Sequence, residues 1–95
     1  MTTTIQLRHP AGKKAISMDI VKYDSLKKSL LNHLKTKGES RHADILNGIT
    51  QDFKKSKIKF EGSVEWHMEW VKLDMEARKE IKRIIDKSAV KFVAI

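Results

Sequence analysis

Lys54, Lys55, Lys57 and Lys59 put four cations into six residues with no carboxylate among them. Ammonium groups at this spacing suit the phosphates of a nucleic acid, whose condensed counterions are released on neutralisation. The same run also suits a solvated loop. Trp66 and Trp70 stand one helical turn apart, where two indoles can stack on bases, anchor a protein partner or fill a core. The remaining reactive side chains do not assemble. His9, His33, His42 and His67 include no i, i+4 pair, and there is no cysteine, so neither a metal site nor a disulfide is expected. Asp74 and Arg78 have ion-pair spacing, with Glu76 on another helical face. Gly12-Lys13 lacks the upstream glycine and the following Ser or Thr of a phosphate loop. No nucleophile sits beside a base in a recognisable pattern. The expectation is therefore no enzyme, no catalytic residue, no cofactor and no small-molecule substrate.

Charge is unevenly spread over the 95 residues. The formal net charge is +8, with five lysines against one aspartate over residues 20–38, yet residues 61–79 hold five carboxylates against three cations. With 40% hydrophobic residues the chain can bury one modest core, so residues 1–95 read as a single domain. No apolar run approaches the roughly 20 residues that cross a bilayer, and the N-terminus lacks a signal-peptide pattern. A cytoplasmic protein without a membrane partner is expected.

The elements that must position these residues follow from periodicity. Ile5 and Leu7 alternate with polar neighbours, residues 9–13 carry turn chemistry, and Ala15–Met18 can return, which predicts an N-terminal hairpin over residues 1–19. From Asp19 as N-cap, Ile20, Tyr23, Leu26, Leu30, Leu31 and Leu34 predict a first helix that stops at Gly38. Lys27 and Lys37 fall inside its apolar arc, where a stem can lie along the core edge. Ser40 can cap a second helix with Ala43, Ile45, Leu46, Ile49 and Phe53 on its apolar face. A third helix begins at Val64. It is apolar on two sides, Val64–Met68–Val71–Met75 and Trp66–Trp70–Leu73–Ala77, with Glu65, Glu69, Lys72, Glu76 and Lys79 as a polar stripe between them. After Arg78 the chain can either prolong this helix or form a hairpin of residues 80–85 with residues 90–95 turning at Asp86-Lys87-Ser88. The hairpin is preferred because it gives the β-branched end a pairing partner.

Three helices followed by a hairpin resemble a winged helix-turn-helix domain, with residues 86–89 as the wing and residues 39–41 as the short extra strand. More closely, the chain resembles a group of small uncharacterised bacterial proteins of that type. The likeness is carried by His9-Pro10-Ala11-Gly12-Lys13-Lys14, Lys22-Tyr23, the block from Phe60 to Trp66 and the block from Val71 to Arg78. The resemblance implies an α+β fold, a winged-helix-like three-helix core with N-terminal and C-terminal β-hairpins, residues 20–95 forming the helices and wing. Two positions depart from the pattern. Lys79 stands where a glycine would suit the helix end, and Ala89 where a proline would stiffen the turn, so Lys79 has to accept a left-handed backbone.

A winged helix reads the major groove with its third helix, which here offers Glu65 and Glu69 first. Groove insertion is therefore disfavoured. Contacts to double-stranded DNA are expected instead from Lys82, Arg83, Lys87 and Lys91 in the wing, from Arg41 and His42 at the start of helix two, and from Lys54, Lys55, Lys57 and Lys59. Binding of this kind is non-specific or weakly specific, made mainly to phosphates, and steeply salt-dependent. The rival expectation is a homodimerisation or partner-binding module that uses Trp66 and Trp70 and touches no nucleic acid.

Overall fold

The computed structural model describes residues 3–87 and 89–95. It is an α+β structure of three helices with a β-hairpin at each end of the chain. Strands β1 (Thr4–Gln6) and β2 (Ser17–Asp19) pair antiparallel, with Ile5 opposite Met18. Helix α1 (Ile20–Lys37) follows at once, then the two-residue strand β3 (Ser40–Arg41), α2 (His42–Lys55) and α3 (Val64–Ala77). The chain closes with β4 (Ile81–Asp86) and β5 (Ala89–Ala94), and β3 joins them in a three-stranded antiparallel sheet of order β3-β5-β4.

Each helix boundary has a local cause. Asp19 Oδ1 accepts the Val21 N–H at 2.8 Å, and Gly38, at φ 76°, ends α1 by donating its N–H to the Leu34 carbonyl. Ser40 does not cap α2. It lies buried in β3, and the Asp44 carboxylate satisfies the start of α2 by accepting the Arg41 N–H at 3.3 Å. Ser63 Oγ accepts the Trp66 N–H and caps α3. Helices α2 and α3 end alike. Ile58 donates to Phe53 and Lys57 to Lys54, just as Glu80 donates to Met75 and Lys79 to Glu76, with Lys57 at φ 55° and Lys79 at φ 63°. These are paired Schellman ends with lysine in the left-handed position that glycine usually takes. The second one breaks α3 at Arg78 and releases the chain into β4, which resolves the fork in favour of the hairpin.

Leu26, Leu30 and Leu34 of α1 meet Ile45, Ile49 and Phe53 of α2, Met68, Val71 and Met75 of α3, and Ile81 and Phe92 of the hairpin in one core. Burying side chains of this size contributes about 1.5–3 kcal/mol each. Ala43, expected on the apolar face of α2, is exposed, because at two residues before the buried Ile45 it points to nearly the opposite side of the helix. Leu7 and Met18 from the N-terminal hairpin are also buried there.

Among the described residues Ser29, Ser40, Lys72 and Asp74 are buried polar residues, and Asp74 is the deepest of them. Asp74 is fully buried, and its carboxylate accepts the Arg8 N–H at 2.8 Å, the Tyr23 hydroxyl, and the Arg78 Nε at 2.9 Å. The pair of Asp74 with Arg78 is thus more than a surface i, i+4 bridge: it joins the N-terminal segment, α1 and α3 through one side chain.

Candidate nucleic-acid interface

The Schellman end of α2 fixes the lysine run. Lys54 and Lys55 close the last turn, Lys57 occupies the left-handed position and Lys59 follows, and all four are exposed. Among the described residues none of them has a carboxylate within salt-bridge distance, and Asp52 of α2 is engaged elsewhere, its Oδ2 accepting from the Ser29 hydroxyl at 2.8 Å. Beside the run lies a groove of about 640 Å³ between α1 and the end of α2, with Lys28 and Lys35 along one wall and Phe53, Ser56 and Ile58 along the other. Lys37 and Lys55 line an adjoining hollow of about 260 Å³. Lys28 and Lys35 are two helical turns apart, about 10 Å along α1, so α1 supplies the cations of this groove, while α2 contributes Asp52 and Phe53 to it. In the sequence Lys28 and Lys35 lie outside the apolar arc of the first helix, among its polar residues. Their seven-residue spacing within the most basic helix was the available signal, but nothing in the sequence placed α1 beside the end of α2.

The sheet gathers a second group. Arg41 is the cross-strand partner of Lys91, Lys91 of Ile84, and Lys82 of Val93, so alternation puts Arg41, Lys82 and Lys91 on the same outward face. Lys91 Nζ reaches the Glu39 carboxylate at 3.3 Å. Lys87 is exposed in the turn at φ 45°.

Two expected contact residues are engaged with the carboxylates of α3. Arg83 points to the other face of β4, over the Phe92 ring, and binds Glu76 at 3.2 Å. His42 lies between Glu65, 3.1 Å from its Nε2, and Lys72, whose Nζ is 2.7 Å from its Nδ1. Lys72 is not part of an exposed stripe. It is buried with Nζ 4.3 Å from the centre of the Phe92 ring, and this burial pushes its ammonium pKa down, against the opposite pull of Glu69.

Helix α3 is apolar on two sides, and only one of them is core. Met68, Val71 and Met75 are buried, whereas Trp66 is 47% exposed and Trp70 and Leu73 are half-buried. The indoles meet edge to face with centroids 6.4 Å apart, beside a hollow of about 380 Å³ that Glu69, Lys72 and Arg83 also line. Glu65 and Glu69 are exposed next to them. The outward side of α3 is therefore acidic and aromatic, while the cations lie on α1, α2 and the sheet.

Residues 4–92 match the model of a family of unknown function, DUF6958. The chain belongs to DUF6958. No curated protein and no solved structure matches it. The DUF6958 match runs from β1 to Phe92 of β5, so the N-terminal hairpin and the lysine run both lie inside the family boundaries. Among the described residues of this DUF6958 protein there is no group of three or more His, Asp or Glu that could hold a metal ion, and no helix long and apolar enough to cross a membrane.

Proposed function

We propose that this protein is a winged-helix nucleic-acid-binding module of the cytoplasm that grips double-stranded DNA by its phosphates, chiefly through Lys54, Lys55, Lys57 and Lys59 with Lys28 and Lys35. The observation that carries this reading is the exposed four-lysine run, none of it in a salt bridge among the described residues, beside a groove walled by two further lysines. The strand order β3-β5-β4, in which a short strand before α2 pairs with the last strand, supports the winged-helix part. Arg41, Lys82, Lys87 and Lys91 form a secondary contact area. An exposed ion pair such as Lys91–Glu39 is worth about 0–1 kcal/mol and yields readily to a phosphate. The acidic side of α3 turns away from the duplex.

Fluorescence anisotropy with two duplexes of unrelated sequence tests this. Affinity for both should be equal and should fall steeply between low and moderate salt, by roughly a factor of ten to the 0.9 for each phosphate contact per decade of salt. Replacing Lys54, Lys55, Lys57 and Lys59 together by Gln should weaken binding to both duplexes alike and flatten the salt slope. An absence of binding at low salt overturns the reading. A loss confined to one sequence replaces backbone contact with base reading.

A further inference from the structure

The basic run and the acidic face of α3 are joined by a continuous line of rings. Phe53 of α2 stacks on Phe60 at 5.7 Å, Phe60 meets His67 at 5.0 Å, His67 meets Trp66 at 4.9 Å, and Trp66 meets Trp70. At one end of this strip Ile58, 40% exposed, stands among Lys55, Lys57 and Lys59. At the other, Trp66 stands between Glu65 and Glu69. Each end thus presents an apolar anchor flanked in sequence by like charges, lysines at one and glutamates at the other, with Lys72 and Arg83 also lining the hollow beside the indoles.

A surface of this kind is complementary to itself when turned through 180° about an axis across its middle. The cationic end of one copy then meets the anionic end of the other, and the reciprocal contact forms at the same time, which is the isologous arrangement of a two-fold dimer. We propose that two copies of this chain associate in this way, with Ile58 and its flanking lysines in each copy docked on Glu65, Trp66 and Glu69 of the other. The chain itself supplies the basic, apolar-anchored segment that the acidic indole face calls for. A nucleic acid is a poorer occupant of that face, because Glu65 and Glu69 repel phosphate. The dimer does not depend on the DNA-binding reading, although both use the lysine run.

Sedimentation of the full chain without nucleic acid, over a wide concentration range, provides the test. The parent should pass from monomer to dimer as concentration rises. The charge reversals E65K/E69K and K57E/K59E, each made in a separate chain, should raise the dimer dissociation constant at least about tenfold, since each sets like charges against each other. Mixing these two variants should restore dimers, because the reversed face of one is complementary to the reversed loop of the other and their unaltered halves also match. Circular dichroism confirms that each variant is folded, and Ile58→Asp is a loop variant that should give the same loss if either reversal fails to fold. A parent that stays monomeric throughout, a dimer indifferent to both reversals, or a mixture that remains monomeric overturns the proposal.

Discussion

Asp74 serves three parts of the chain with one carboxylate. A buried charge of this kind is tolerated because Arg78, the Tyr23 hydroxyl and the Arg8 N–H satisfy it together. Removing it leaves an uncompensated cation and two unsatisfied donors, so Asp74→Ala should lower stability by about 3–5 kcal/mol in denaturant unfolding. Tyr23 gives the same site a pH signature. Burial first, and then its bond to Asp74, push the phenol well above its usual 10.0. A raised pKa means that the folded chain keeps this proton after the unfolded chain has lost it. The stabilisation is complete below pH 10 and declines as pH rises through and beyond that value. Unfolding free energies measured from pH 9 to pH 11 should fall more steeply for the parent than for Tyr23→Phe, and equal slopes would remove Tyr23 as the cause. Lys72 acts in the opposite sense: its depressed pKa makes the folded state gain stability as pH climbs toward 10.5, so Lys72→Met is the matching control.

At the scale of elements, the helix ends are the least economical features. Lys57 and Lys79 occupy left-handed backbone that costs an L-residue about 1 kcal/mol and glycine almost nothing. Lys79→Gly should therefore stabilise the chain by about 0.5–1 kcal/mol in thermal or chemical unfolding, with α3 unchanged in length. Local periodicity and turn chemistry made α1, its Asp19 and Gly38 ends, the N-terminal hairpin and the two apolar sides of α3 legible in the sequence; the C-terminal hairpin followed from the need for a pairing partner, and the left-handed Lys79 from the winged-helix resemblance. Less legible were features set by neighbours. Lys72 reads as one residue of a polar stripe until β5 places Phe92 beneath it. His33, read as surface, is held against Ser40, and its ring occupies the space that a Cβ on Gly48 would need, a close approach of α1 and α2 that no spacing announces. Asp74 has the spacing of an ordinary helical ion pair, and only the return of the N-terminal segment makes it a hub. The candidate interface divides in the same way. The lysine run was visible as composition, while the company of Lys28 and Lys35, and the withdrawal of Arg83 and His42 toward Glu76 and Glu65, depend on packing.

Over the whole molecule, positive charge lies mainly on α1, the end of α2 and the outer sheet face, and negative charge on the outer side of α3. The lysine run is shared by the two proposed partners, a duplex and a second copy, so each excludes the other there. Ligands that compete for one surface are linked, and adding one must weaken the apparent affinity for the other. Trp66 and Trp70 are the only tryptophans in the chain and both belong to α3, so indole emission reports on this face directly. Titrating duplex into concentrated protein should return the emission maximum to that of the E65K/E69K monomer. A spectrum that does not move while anisotropy shows DNA bound would mean that the lysines serve only one of the two partners.

Leu7 and Arg8 are wired into the centre of the molecule, since Leu7 lies in the core and the Arg8 N–H ends on Asp74. A shortened chain starting at Asp19 would retain every helix and the C-terminal hairpin, yet it would open a void beside α1 and strip a donor from the buried Asp74 carboxylate. What looks in the linear order like a detachable leader is a keystone, and a minimal fragment of this protein has to include it.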